Sequence, residues 1–368
     1  MTEPEIIAAL RLQAIPNIGD ITAKKLIARC GSPMAVFKDK RQHLLKIDGI
    51  GQQTLKGLFD PVHLAEAEAE YTFLVQERID TSYFIADDYP EYLKHCPDGP
   101  ILLFKKGNID LNNKRIISVV GTRNITSYGT DFCEKFIEEI APLDPIIVSG
   151  LAYGVDITIQ RAAVDKGLQT IACLAHGLNQ VYPKAHKKYA KGILENGGFL
   201  TDFWSTSTPE RENFLKRNRI VAGMSEATIV VESAEKGGSL VTADLANGYN
   251  REVFAVPGRS TDKFSKGCND LIKRQKANLL TSAAELVYLL GWELEEKKEE
   301  SMVQKQLFVE LTEQEQAIYS YLQSKGKQLL DTVALECKLP IYKASSTLLN
   351  MEMKGLIRPL PGKLFEAI

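Results

Sequence analysis

The chain has 368 residues, 44% hydrophobic and 25% charged, with 45 basic side chains against 47 acidic ones, a composition that fits two or three globular domains. Disorder and collagen-like repeats are excluded. The start, Met1-Thr2-Glu3-Pro4-Glu5, has neither a basic nor an apolar stretch, and no apolar run approaches the roughly 18 residues of a membrane span. A soluble cytoplasmic protein with no membrane partner is expected. Six scattered cysteines, without a CxxC pair or a Cys/His cluster at ligand spacing, point to a reduced compartment and no metal.

The near-neutral total hides segments of opposite sign. Residues 1 to 60 carry nine Lys/Arg and six Asp/Glu, a net of +3; residues 61 to 100 carry two and nine, a net of −7; residues 181 to 219 carry eight and four, a net of +4. A basic footprint for a polyanion therefore survives.

In chain order, residues 1–62 form a small helical domain, helix-hairpin-helix or SAM-like. Ile15-Pro16-Asn17-Ile18-Gly19 and Ile47-Asp48-Gly49-Ile50-Gly51 both have glycines that let the backbone turn tightly and expose amides at the next helix N-terminus. Direct DNA contact and a scaffold or docking role are both open for them. Asn17 stands where the motif usually has glycine, and Asp48 where it usually has proline.

Residues 61 to 80 read as an acidic helical connector. Within 63–292, runs at Ile116 to Val120, Ile146 to Ser149, Thr170 to Leu174, Phe199 to Asp202, Thr228 to Val231, Val253 to Val256 and Asn278 to Leu280 alternate with helical segments. That alternation predicts an α/β domain, a Rossmann-like, doubly wound, mostly parallel sheet. Residues 293–306 read as a linker. Residues 307–368 read as a C-terminal winged-helix domain: three helices, then a hairpin around Pro361-Gly362.

Ligands of such sheets sit beyond the strands' carboxyl ends. Three glycine turns lie there: Gly121 to Gly129, Gly150 to Asp156, and Lys236-Gly237-Gly238-Ser239, offering amides and helix ends to anions. A dinucleotide site is disfavoured, because Arg123 occupies the position of the second glycine and the second strand lacks the ribose-binding acid. No GxxxxGK[ST], GxSxG or HExxH stretch exists, so no cofactor, metal or catalytic nucleophile is expected.

The rim gathers cations and an aromatic instead. Lys184, Lys187, Lys188 and Lys191 share a face if 184 to 195 is an α-helix; Phe214-Leu215-Lys216-Arg217-Asn218-Arg219 puts three cations beside a phenylalanine. Of five scattered histidines only His176 falls near the rim, where a structural role is expected. Residues 311 to 368 net +1 from seven basic and six acidic side chains, and the third helix there offers only Lys343 and Lys354 as cations. Protein contact or weak auxiliary DNA contact is expected there, ahead of specific duplex recognition.

Six ordered blocks complete the picture: Ile117 to Arg123 with Tyr128-Gly129, Ser149 to Asp156, Tyr182-Pro183-Lys184, Arg217 to Gly223, Gly238 to Ala243 and Val253 to Gly258. In this order the chain resembles the DNA-processing protein A (DprA/Smf) family. The resemblance implies a homodimer that binds single-stranded DNA without sequence preference and hands it to the RecA recombinase in natural transformation, with no covalent step. It also implies a strand pocket built from Gly121, Thr122, Arg123, Lys184, Phe214, Lys216, Arg217, Asn218, Arg219, Gly237, Gly238 and Ser239. Leu215 replaces a usual proline, Gly237 a frequent serine, and Lys273 to Ala277 a shorter turn. The bottom-up reading has Arg123, Lys184, Arg217 and Arg219 neutralising phosphates while Phe214 stacks or wedges a base. The competing class is a nucleotide phosphoribohydrolase; its PGGxGTxxE signature is absent, and Asp244 is the nearby acid.

Overall fold

A computed structural model describes residues 1–112, 115–292, 311–360 and 363–367; the proposed linker and the Pro361-Gly362 turn lie outside these. Two compact units result, Met1–Trp292 and Glu293–Ile368.

In the first, among the described residues, a nine-stranded sheet comprises β1 (Asp80–Tyr83), β2 (Leu102–Gly107), β3 (Ile116–Val120), β4 (Ile146–Ser149), β5 (Thr170–Cys173), β6 (Gly197–Thr201), β7 (Ala227–Val230), β8 (Glu252–Ala255) and β9 (Asn278–Leu279). The order is β1-β2-β6-β5-β4-β3-β7-β8-β9. Strands β3 to β9 are parallel, while β1 and β2 form an antiparallel edge. The doubly wound expectation holds, with two strands the apolar runs did not reveal.

Alternation along β3 shows why both faces are covered. Ile116 and Val120 pack into one buried cluster with Ile220 and Val221; Ile117 and Val119 pack into another with Phe136 and Ile159. A pleated strand sends successive side chains to opposite faces, so an uninterrupted apolar run needs helices on both. Ser118, buried between them, bonds Thr228 Oγ1 at 2.8 Å.

From β3 the chain winds through β4, β5 and β6 in one direction, then returns to place β7 on the other side of β3. The crevice lies at that reversal, beyond the carboxyl ends of β3 and β7.

Helices Glu3–Ala14 and Asp20–Cys30 bracket the first glycine hairpin. The second is bracketed by the short helix Arg41–Leu44 and hydrogen-bonded turns over residues 52 to 59. The helical segment is continuous with the sheet: Leu10, Leu26, Phe104, Leu174 and Phe199 belong to one buried cluster. Asp20, at the N-terminus of its helix, accepts from the Ile101 amide at 2.9 Å, and Lys24 donates to the Cys96 carbonyl at 3.0 Å. The first hairpin thus spends its helix end on docking to the sheet.

In the second unit, helices Glu313–Lys325, Leu330–Glu336 and Ile341–Met353 enclose Ile318, Leu322, Val333, Leu348 and Met351, beside strands Gln328–Leu329, Ile357–Leu360 and Leu364–Ala367. This is the expected winged helix. Thr312 and Glu315 form a reciprocal cap: Thr312 N–H donates to Glu315 Oε2 at 2.8 Å, and Glu315 N–H donates to Thr312 Oγ1 at 3.3 Å. Lys354 reaches the same carboxylate at 2.7 Å, leaving Lys343 as the third helix's unpaired cation among the described residues.

The Lys354 hydrogen bond, then the cap, hold the Glu315 carboxyl below its ordinary value of 4.5. A depressed folded-state value contributes stability above the unfolded value and loses it as pH falls through the folded one. Amide-exchange protection over residues 313 to 353 is therefore expected to fall as pH drops below about 4.5. In Glu315→Gln, protection should be lower at neutral pH and flat across that window.

Candidate nucleic-acid interface

A cavity of about 820 Å³ opens at the reversal point. One wall is the turn after β3, Gly121 to Asn124. Another is the helix Arg211–Gly223, through Arg211, Phe214, Leu215, Arg217 and Asn218. A third is the turn after β7 leading into the helix Gly238–Gly248, through Ser233, Lys236, Gly237, Gly238 and Ser239. Tyr182, Lys263 and Phe264 line it as well, as do Gly150, Ala152 and Asp156 of the turn after β4. Five cations line this space (Arg123, Arg211, Arg217, Lys236 and Lys263) against one carboxylate, the buried Asp156. Such an imbalance in a concave site focuses positive potential.

Of the residues expected at a strand pocket, Gly121, Thr122, Arg123, Phe214, Arg217, Asn218, Gly237, Gly238 and Ser239 meet here. Lys184, Lys216 and Arg219 do not line the cavity. Lys184 is exposed at the start of the 3₁₀ helix Lys184–Tyr189. The single basic face proposed for 184 to 195 is corrected accordingly: a 3₁₀ stretch followed by the α-helix Ala190–Glu195 breaks the 3.6-residue period on which Lys184, Lys187, Lys188 and Lys191 align.

Arg219 also departs from its expected phosphate role. Its guanidinium donates to Asp20 at 3.1 Å, to Asp202 and to the Asp98 carbonyl, joining the first hairpin to the sheet. Arg217 lines the cavity but is only 4% exposed. It donates to the Gly150 carbonyl at 2.9 Å and to that of Cys173, bracing the ends of β4 and β5. Burial lowers its pKa while Asp156 opposes that, and burial raises the Asp156 carboxyl. Arg217 is a strut before it is a phosphate ligand.

The three glycine turns differ in what they offer. Asp156 accepts the Gly150 and Ala152 amides at 3.2 and 3.3 Å. The Glu232 carbonyl takes the Thr122 amide at 2.7 Å, its carboxylate takes the Thr126 amide at 2.9 Å, and Thr122 Oγ1 takes that of Asn124 at 3.1 Å. Part of each turn's amide set is thus already bonded, in the second by its own Asp156 and in the first largely by Glu232. Among the described residues, no hydrogen bond engages the amides of Gly237, Gly238 and Ser239, the opening of an eleven-residue helix. With three consecutive amides open at a helix start, where the first two turns have their open amides interrupted by bonded ones, the third turn is the best placed of the three to capture an anion.

Arg123 is exposed, with its guanidinium 5.3 Å from the centre of the Phe214 ring; Arg217 and Tyr182 are each 6.0 Å from it. His176 lies outside the cavity, buried, with Nδ1 2.9 Å from the Gly177 carbonyl; burial lowers its pKa. Asp244 pairs with Lys276 at 2.8 Å on the surface. Sequence reasoning named Lys236 within the third glycine turn but gave it no role in the strand pocket, and it missed Arg211, Lys263 and Phe264. Lys263 and Phe264 sit in a loop without a motif.

The profile of the DNA recombination-mediator protein A family matches residues 81–291, and that of the DprA winged helix domain matches residues 305–363. DNA processing protein DprA of Streptococcus pneumoniae is 39% identical over 207 residues, 56% of this chain and 73% of that protein. An X-ray structure of the S. pneumoniae protein superposes with a TM-score of 0.65 at 30% identity, covering 78% of this chain and 98% of that one. The corresponding Helicobacter pylori structure, which concerns a single-stranded DNA binding mode, gives 0.52 at 28% identity, covering 58% and 95%. With the sheet order, the winged helix and the glycine-turn cavity, these matches place the chain in the DprA/Smf family of DNA recombination-mediator proteins.

Proposed function

We propose that this chain binds single-stranded DNA without sequence preference in the cavity beyond β3 and β7, and that it hands the strand to the RecA recombinase as a homodimer, with no covalent step. The observation that carries the strand-binding reading is the cavity's lining: five cations and a helix-opening turn with open amides, set against one buried carboxylate. The H. pylori relative's single-stranded DNA binding supports the choice of polyanion. Recombinase hand-off and self-association rest on the family resemblance.

Single strands are held by cations along the backbone and by aromatic faces under the bases. With about five phosphates neutralised, the single-strand slope of roughly −0.7 per phosphate gives about 100-fold weaker binding between 50 and 200 mM salt. Anisotropy of a fluorescent oligo-dT, against a duplex of equal length, measures this. The Arg123→Ala variant should bind more weakly, with the slope reduced by about 0.7. Salt-independent affinity, or an unchanged Arg123→Ala slope, overturns the reading. The phosphoribohydrolase alternative gains nothing from the cavity, whose carboxylate is bonded to loop amides while Asp244 is paired elsewhere.

A further inference from the structure

The 3₁₀ stretch that breaks the expected basic face gathers its cations in another way. Lys188 Nζ lies 4.9 Å from the centre of the Tyr189 ring, and the Arg161 guanidinium, from the helix Val155–Asp165, lies 5.2 Å from the same centre. An aromatic ring attracts a cation to its face, and this one has two. Their separation cannot exceed the two distances combined, about one Debye length at ordinary ionic strength, so the charges repel each other. Among the described residues no carboxylate pairs with Arg161, Lys184, Lys187 or Lys188, whereas Lys191 has Glu195 at 3.8 Å. Folding leaves a knot of uncompensated positive charge outside the cavity.

An aromatic step joins this knot to the cavity. Tyr153 follows Ala152, which lines the cavity, and is 47% exposed. Its ring meets that of the buried His186 edge to face, with centres 4.7 Å apart, and the His186 ring in turn lies 6.0 Å from that of Tyr189. His186 is fixed from behind: its Nδ1 is 2.8 Å from the Leu151 carbonyl oxygen, which can only accept, so that nitrogen donates. On the other side Tyr182, 41% exposed, lines the cavity and leads through Pro183 to Lys184. Tyr153 is thus an exposed ring on a braced support, and such a ring loses little freedom when a flat ligand settles on it.

Resting on the strand-binding reading above, we propose that the strand continues out of the cavity past Tyr182, stacks a base on Tyr153 and sets the phosphates that follow against Arg161 and Lys188. Cations for the backbone and an aromatic face for a base are what a flexible polynucleotide needs. A phosphate beside Tyr189 relieves the repulsion between the two cations, a compensation that no carboxylate among the described residues provides. The cavity is then one end of a longer site, and strand length enters the affinity. An acidic protein surface matches the cations alone; a strand already seated in the cavity also accounts for the ring beside them.

The test uses the full chain and oligo-dT of about 6 and about 20 nucleotides, the shorter sized for the cavity alone. Arg161→Ala/Lys188→Ala is expected to bind the short probe as wild type does and the long probe more weakly, with a salt slope reduced by about 0.7 for each cation removed. Tyr153→Ala should weaken binding of the long probe about 5–100-fold with its slope unchanged, and Tyr153→Phe should retain it. The long probe carrying 5-iodouracil should photocrosslink to Tyr153. Equal affinities of the double variant and wild type for the long probe, or equal losses on both probes, overturn the extension while leaving the cavity reading intact. Failure of the wild-type chain to bind either probe removes both. Thermal midpoints within about 2 °C of wild type show that a loss of affinity is not a loss of fold.

Discussion

Replacing Arg217 by methionine is expected to lower the stability of the first unit by about 3–5 kcal/mol, the range for removing one partner of a buried charged pair. Arg217 has 4% of its surface exposed, and its guanidinium ties the Gly150 carbonyl to that of Cys173 beside the buried Asp156. Methionine fills much of the volume but leaves two carbonyls without donors and a carboxylate without its compensating charge. Against a total stability of roughly 5–15 kcal/mol the loss is large. Denaturant unfolding followed by Trp204 and Trp292 fluorescence measures it. Adding Asp156→Asn should recover part of the loss, since the pair is coupled. A loss under 1 kcal/mol (about one-fifth of the upper figure) together with abolished oligo-dT binding would show that Arg217 serves the strand directly.

The second large effect is expected at Gly154. Its φ of 77° and ψ of −126° belong to a region that side-chain-bearing residues avoid, and a Cβ there would stand 2.2 Å from the Thr122 carbonyl oxygen. That oxygen accepts the Val155 amide at 3.1 Å, so the two turns are locked together through the backbone. Neither partner can rotate away. Gly154→Ala is expected to cost about 2–6 kcal/mol, from backbone strain and overpacking. It should also displace Thr122 and Arg123, weakening oligo-dT binding at least about tenfold in whatever fraction stays folded. Gly238→Ala is the control for stability: a Cβ there meets nothing within 4 Å, and the unfolding midpoint should hold or rise slightly. Equal midpoints for Gly154→Ala and wild type would remove the backbone lock from the account.

The sheet was legible because its parallel strands are short apolar runs between helical segments, and such runs need cover on two faces. The antiparallel edge was not. Asp80–Tyr83 reads as a polar tetrapeptide, and it becomes a strand through its register with Leu102 to Lys105, including Ser82 opposite Leu103. Lys184 to Lys191 misled for the opposite reason: the spacing fitted an α-helix, but a 3₁₀ stretch follows Pro183.

The site shows the same division. The three glycine turns, the aromatic at Phe214 and the surplus of cations between 181 and 219 are properties of the chain read in order, because turns need glycine and charge needs no partner to be counted. Which turn keeps a run of open amides depended on contacts of the fold: Glu232 reaches across from beyond β7 to the first turn, while Asp156, at the end of the second, folds back onto that turn's own amides. Arg217 and Arg219 lie two residues apart in one cationic cluster, and two steps along a helix turn them to nearly opposite sides. One braces the strand ends; the other meets Asp20, distant in sequence but brought close by the docking of the first hairpin. The amino-acid order thus set the inventory of phosphate-binding chemistry, while its allocation between structural bracing and an open cavity came from contacts that exist only once distant segments have packed.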